Sequence, residues 1–158
     1  DAALQDTADL FEELKADLVS LFAARLLHEQ GAHDSARLRA IYADGIRRVL
    51  QKNRPRRDQP YQTMQLMQWN WFLDRGLLTV DSGRLQIHYD RYPAVVESLL
   101  AAVLDLQLRG DRDAANGFVD QWTSWDEALH GEIARAMRAA ETTRFTLVRY
   151  AALGEEAP

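Results

Sequence analysis

From Ala3 to Glu29 the chain contains neither glycine nor proline, and Leu4, Phe11, Leu14, Leu18, Leu21, Phe22 and Leu26 return at helical spacing. A period near 3.6 sustained over so long a stretch commits it to one amphipathic helix. Whatever else folds must cover its apolar side. Gly31 supplies a stop, and Asp34 or Ser35 can cap a second helix carrying Leu38, Ile41, Tyr42, Ile46, Val49 and Leu50. From Asn53 to Pro60 there are two prolines, three arginines and no apolar residue, which reads as an exposed connection.

A third helix is expected from about Gln62 to Arg75. Met64, Leu66, Met67, Trp69, Trp71, Phe72 and Leu73 surround it on most sides, so a central position follows. Over about 77–88, Leu78 and Val80 face Leu85 and Ile87 across Asp81, Ser82 and Gly83, the pattern of a small hairpin. A fourth helix runs from about Tyr92 to Arg109, with Pro93 in its first turn and Gly110 after its end. Asp111 or Asp113 opens a fifth, to about Trp122. Ser124 and Glu127 have capping-box spacing for a sixth, ending near Ala140, and Arg144 to Tyr150 reads as a short extended segment. The expected fold class is mainly α: about six helices and one hairpin, with residues 1–158 forming a single helical domain.

Composition narrows the function. Nineteen Lys and Arg against 24 Asp and Glu leave a formal charge of −5, which argues against a nucleic-acid binder that neutralises phosphates with its whole surface. The best apolar run, Val95 to Leu108, is broken by Glu97, Asp105 and Gln107, so no membrane span is expected. With no cysteine, a metal would have to be held by histidine and carboxylates. The cysteine count is also compatible with a cytoplasmic location. The chain opens on Asp without a basic-then-apolar leader, and is expected to be a processed product or a piece of a longer protein.

Four side-chain groups could carry chemistry. Asp6, Asp9, Glu13 and Asp17 align on one side of the first helix with Glu12 at the edge, and only Lys15 is near in sequence to relieve their repulsion. Such a stripe is either a solvated face or one that awaits a cation or protonated histidines. His28, Glu29 and His33 spell H-E-x-x-x-H, but Gly31 interrupts the continuous helix that a zinc motif needs, so a polar helix terminus is the better reading. Glu127 and His130 form one E-x-x-H where a dimetal bundle needs two such pairs. Arg47, Arg48, Lys52, Arg54, Arg56 and Arg57 make a basic run without interleaved aromatics, which reads as a solvated face; a peptide carboxylate, an acidic domain or a phosphate are its functional options.

Taken together, the first 76 residues resemble a known family. Glu12-Glu13-Leu14-Lys15-Ala16-Asp17 resembles the second zinc motif, E-E-x-x-A-E/D, of the dipeptidyl peptidase III family of zinc metallopeptidases. As in bacterial relatives, it continues into an apolar helix and a Gln30-Gly31 stop. The segment from Gln68 to Gly76 looks like that family's helix ending Q-x-N-Y-L-L-E-x-G, with a hairpin after it. The similarity extends more loosely through the fourth and fifth helices.

The resemblance implies that Glu13 is a ligand of a catalytic zinc, and that Glu12 and Asp17 accept hydrogen bonds from the outer nitrogens of two zinc histidines. Those histidines and the general-base glutamate belong to an H-E-x-x-x-H segment that would precede Asp1. The chain would then be the C-terminal part of a larger catalytic lobe, inactive and metal-free alone, with peptide substrate and the missing N-terminal portion as the parent's partners. Zinc-activated water would do the hydrolysis. Where relatives carry a histidine thought to stabilise the oxyanion, this chain has Tyr61, which can donate to an oxyanion or simply pack beside Pro60. The competing reading is a noncatalytic helical interaction module. Self-association of the isolated piece is a further expectation, through any of Trp69, Trp71, Trp122 and Trp125 left uncovered.

Overall fold

The computed structural model describes residues 3–55 and 60–141. Six α-helices and one hairpin follow in the order α1 (Ala8–Glu29), α2 (Ser35–Val49), α3 (Pro60–Asp74), β1 (Leu78–Asp81), β2 (Arg84–Ile87), α4 (Tyr92–Arg109), α5 (Arg112–Trp122) and α6 (Glu132–Ala140). The mainly helical class with a single small hairpin is therefore as the periodicities indicate. Arg56, Arg57 and the expected extended tail Arg144 to Tyr150 lie outside the described residues.

The long first helix organises the core. Leu10, Phe11, Leu14, Leu18, Leu21 and Ala24 are buried against α2, α3 and α4. α1 and α4 run antiparallel: Glu12 meets Gln107, whereas Leu21 and Phe22 share a crevice with Pro93 and Val96. Two residues depart from the expected apolar face. Phe22 and Leu26 are 44% and 49% exposed. About 100° separates consecutive helical residues, so a stripe that includes positions 21, 22 and 26 is wider than the neighbouring helices can cover.

α3 takes the central position expected of it. Every residue from Thr63 to Trp69 is buried, as are Trp71 and Phe72. Phe118 of α5 bridges to it, its ring lying 6.1 Å from that of Phe11 and 5.9 Å from that of Trp71. The expected exposed connection is corrected at its first residue: Asn53 is buried because its Nδ2 donates to the carbonyls of Val49 (2.8 Å) and Arg48 (3.1 Å), closing the end of α2. In the hairpin Leu78 pairs with Ile87 and Val80 with Leu85. Ser82 and Gly83 turn it with φ of 49° and 75°, the left-handed pair that a two-residue loop requires.

The start of the last helix corrects another expectation. Ser124 and Glu127 do not form a capping box; Asp126 is the cap, accepting from the amides of Ala128 (2.8 Å) and Leu129 (3.4 Å). A five-residue π turn, Glu127–Gly131, then leads into α6. Glu127 is drawn outward by charge instead, accepting from Arg54, Arg135 and the Trp125 indole. Among the described residues no helix is long and apolar enough to cross a membrane.

Candidate functional site

The acidic residues of α1 are neither equivalent nor a simple solvated stripe. Asp17, whose side chain is 11% exposed, accepts on Oδ1 from Arg48 Nη1 of α2 at 2.7 Å and on Oδ2 from Gln68 Nε2 of α3 at 2.8 Å. Glu12 lies on the opposite flank, toward α4, where Gln107 Nε2 donates to Oε1 at 2.7 Å and Lys15 sits 2.6 Å from Oε2. The bond and charge of Lys15 hold the Glu12 carboxyl below its ordinary range, against a smaller opposing effect of burial. Between these two, Glu13 is half-buried and has no hydrogen-bond or ion-pair partner among the described residues. One free carboxylate thus stands between two that are held.

The charge balance also differs from the expectation that Lys15 alone relieves repulsion. Arg48 comes from α2, and Arg112 of α5 lies 3.4 Å from Asp6. Although burial works against its charge, Arg48 is raised above its ordinary value by the bond and charge of Asp17. These partners are distant in sequence. The signal that could have revealed one of them is Gln68 itself, a polar side chain within a mostly apolar run, since buried polar groups are as a rule hydrogen-bonded.

The remaining candidates fall elsewhere. Tyr61, 54% exposed, is the second residue of α3, and its hydroxyl has no partner among the described residues. Seven residues separate it from Gln68, about 10 Å along the helix axis. α1 ends at Glu29, before His33, so the H-E-x-x-x-H look-alike does not lie on one helix. His28 Nδ1 donates to the His33 carbonyl at 2.8 Å and the two rings stack 5.7 Å apart, stapling the corner between α1 and α2. His130 is buried and hydrogen-bonded to Asn70, away from any second histidine.

The basic run is largely consumed by ion pairs: Arg47 with Asp44 and Glu141, Arg48 with Asp17 and Asp44, Arg54 with Glu127. Trp69, Trp71 and Trp122 are core residues and Trp125 is partly buried, so the tryptophans form no uncovered surface. Exposed apolar side chains occur instead at Val19, Phe22, Leu26 and Leu27 on α1 and at Leu104 and Leu108 on α4. Continuing along α1 from Asp17, a groove of about 490 Å³ opens between α1 and α2, floored by Leu21, Ala24 and Ile41 and edged by His33, Arg37 and Arg48.

Among the described residues no three His, Cys, Asp or Glu side chains gather to hold a metal ion. A metal at Glu13 would therefore draw its other ligands from outside them. What the chain does present fits a partial role: a partnerless carboxylate, flanked by two carboxylates whose oxygens each keep a further acceptor direction.

Comparison with known proteins defines the class of fold first. The chain has a dipeptidyl peptidase III-like helical fold, shared with about a quarter of each solved relative. The dipeptidyl-peptidase III from Corallococcus sp. strain EGB superposes with a TM-score of 0.71 at 24% identity, over 87% of this chain and 26% of that one. DPP III from Caldithrix abyssi gives 0.69 at 22% identity, over 86% and 26%. Among curated sequences, Nudix hydrolase 3 from Arabidopsis thaliana is 23% identical over 120 residues, 75% of this chain and 16% of that protein. No protein-family model matches the sequence.

Proposed function

We propose that this chain is the C-terminal part of the helical catalytic lobe of a zinc peptidase similar to dipeptidyl peptidase III, whose intact form hydrolyses peptide bonds of short peptides. The observation that carries this reading is the shared fold over 86–87% of the chain. The arrangement on α1 supports it further, because Glu13, the position that the family's motif makes a ligand, is half-buried between the held carboxylates Glu12 and Asp17 and has no partner among the described residues. The name of the Arabidopsis relative carries no comparable weight, since the match covers only 16% of that protein.

In this reading Glu13 is the zinc ligand, and Glu12 and Asp17 accept from the histidines that complete the site. When bound, zinc supplies a water acidic enough to attack a carbonyl near neutral pH. Glu13 brings negative charge to the metal, while its two flanking carboxylates fix the tautomer and orientation of the imidazoles. Tyr61, an exposed residue whose hydroxyl has no partner among the described residues, is the donor to the developing oxyanion. The upstream H-E-x-x-x-H segment is the partner the isolated chain lacks, so the chain alone is inactive. The parent acts in the cytoplasm. Self-association of the isolated piece would use Val19, Phe22 and Leu26, and a monomeric sedimentation profile would remove that part of the reading.

The test is Glu13→Ala in the intact protein, read by metal analysis and peptide hydrolysis. Both zinc and activity are expected to be lost, because two remaining protein ligands leave an incomplete shell. Unchanged zinc content in that variant, or a reading frame without H-E-x-x-x-H upstream of Asp1, overturns the assignment in favour of a noncatalytic interaction module. Tyr61→Phe should keep its zinc and lose about 100-fold in kcat, the scale of a lost oxyanion donor.

A further inference from the structure

We infer that Gln68 is a positioning residue for the metal site, acting through Asp17; this rests on the zinc reading above. Gln68 is 1% exposed, in the centre of the buried helix α3, and its Nε2 donates to Asp17 Oδ2 at 2.8 Å. Arg48 anchors the other oxygen from α2 at 2.7 Å. Two bonds from two different helices fix not only where the carboxyl group lies but the plane it lies in. A single donor would leave it free to rotate about that bond.

The plane matters because an ionised carboxylate has about four acceptor directions, and only two of them are used here. The remaining ones point wherever the two anchors leave them. An imidazole that donates to Asp17 inherits its ring orientation from that geometry, and the ring's other nitrogen is thereby aimed. Glu13 is one helical turn earlier on the same side of α1, so an imidazole aimed by Asp17 and the Glu13 carboxylate would converge on one ion. Gln68 thus contributes to metal affinity without touching metal or substrate. Its neutrality distinguishes it from Arg48: removing the guanidinium would leave a nearly buried charge uncompensated, whereas removing the amide only frees one oxygen.

The test uses the intact protein carrying Gln68→Met, which keeps the volume and removes the donor. Gln65→Met is the control, since Gln65 is buried on the same helix, its Oε1 has no partner among the described residues, and it makes no bond to Asp17. Zinc affinity is measured by competition with a chromophoric chelator, and the visible spectrum is recorded after cobalt replaces zinc. Gln68→Met should raise the zinc Kd at least roughly tenfold and alter the cobalt bands, while the control keeps both. Should Gln68→Met not fold, Gln68→Asn, too short to reach Asp17, should give the same loss. An unchanged Kd and spectrum at position 68, beside a Glu13→Ala variant that loses its metal, overturns the Gln68 assignment alone. Zinc retained by Glu13→Ala overturns the parent reading and this inference with it.

Discussion

His130 Nε2 donates to Asn70 Oδ1 at 3.0 Å, joining the π turn before α6 to the middle of α3 across sixty residues of sequence. The donor assignment follows from the surroundings. The Asp126 amide donates to His130 Nδ1 at 2.9 Å, which leaves the proton on Nε2. Asn70 spends its own Nδ2 on the carbonyls of Trp122 (2.9 Å) and Ser124 (3.0 Å), so its oxygen faces the ring. Trp69 and Trp125 enclose the imidazole, their rings 4.7 and 5.2 Å from it.

This enclosure makes stability depend on pH in a definite direction. Burial lowers the His130 pKa from its ordinary 6.5, outweighing the opposing pull of Asp126. Well above pH 6.5 the ring is neutral whether the chain is folded or not, and the network is intact. As pH falls below 6.5 the unfolded chain takes up a proton that the folded one refuses, so stability declines toward the depressed folded value. The slope from this one group is at most about 1.4 kcal/mol per pH unit. Denaturant titrations between pH 8 and 5 should show that fall, and His130→Gln should flatten it while lowering stability at pH 8. An equal slope in the variant would remove His130 as its source.

Gly45 sits in the interior of α2, where glycine costs helix stability, and the reason is Tyr92. A Cβ at position 45 would collide with the buried Tyr92 hydroxyl, which has no hydrogen-bond partner among the described residues, and would press on Leu21 Cδ2 at 3.2 Å. Gly45→Ala should therefore destabilise by about 1–3 kcal/mol despite its better helix propensity. In a Tyr92→Phe background the main collision is gone and much of that cost should vanish. A double-mutant cycle with no coupling between the two positions would show that the close approach is not what selects glycine.

The fold was legible where punctuation and period are local. Pro93 and Gly110 bracket α4 at the bounds read from them, and Ser82-Gly83 between two apolar pairs is a hairpin on any reading. Illegible features depend on partners far along the chain. Ser124 and Asp126 can both cap a helix, and the choice goes with an Arg54 that arrives 73 residues away to claim Glu127. Likewise the stripe on α1 shows which carboxylates share a side, but Arg48 and Gln68, 31 and 51 residues on, decide that Asp17 is held while Glu13 is free.

The paired histidines at the α1–α2 corner offer a test that separates a local staple from a metal site. His28 Nδ1 donates to the His33 carbonyl, and Ser35 Oγ lies 3.4 Å from His28 Nε2, so both His28 nitrogens face protein partners. Replacing both histidines with alanine should cost about 1 kcal/mol of stability, the worth of an ordinary hydrogen bond. Zinc content of the intact protein should not change. Loss of the metal in this double variant would make the corner, rather than Glu13, its binding place.

Glu127 gathers three donors on one carboxylate: Arg54, Arg135 Nη1 at 2.8 Å and Trp125 Nε1 at 2.9 Å, with the Arg54 guanidinium also 5.6 Å from the Trp125 ring centre. The indole bond, then those to the two arginines, bring its pKa down from 4.5 to about 2. A carboxyl depressed on folding contributes stability that is present above its unfolded value and lost as pH drops toward the folded one. Glu127→Gln should consequently be less stable than the unsubstituted chain at pH 7, with the gap narrowing from about pH 5 to pH 3. Because the group is half exposed, added salt should also shrink the gap. The same change releases Arg54 from its carboxylate and with it the segment that follows α2, so trypsin should cut after Lys52 sooner, as followed by mass spectrometry, the Arg54–Pro55 bond itself being resistant to trypsin. Cleavage at an unchanged rate, together with a gap that does not narrow in acid, would mean that this cluster does not hold the end of α2's following segment to the last helix.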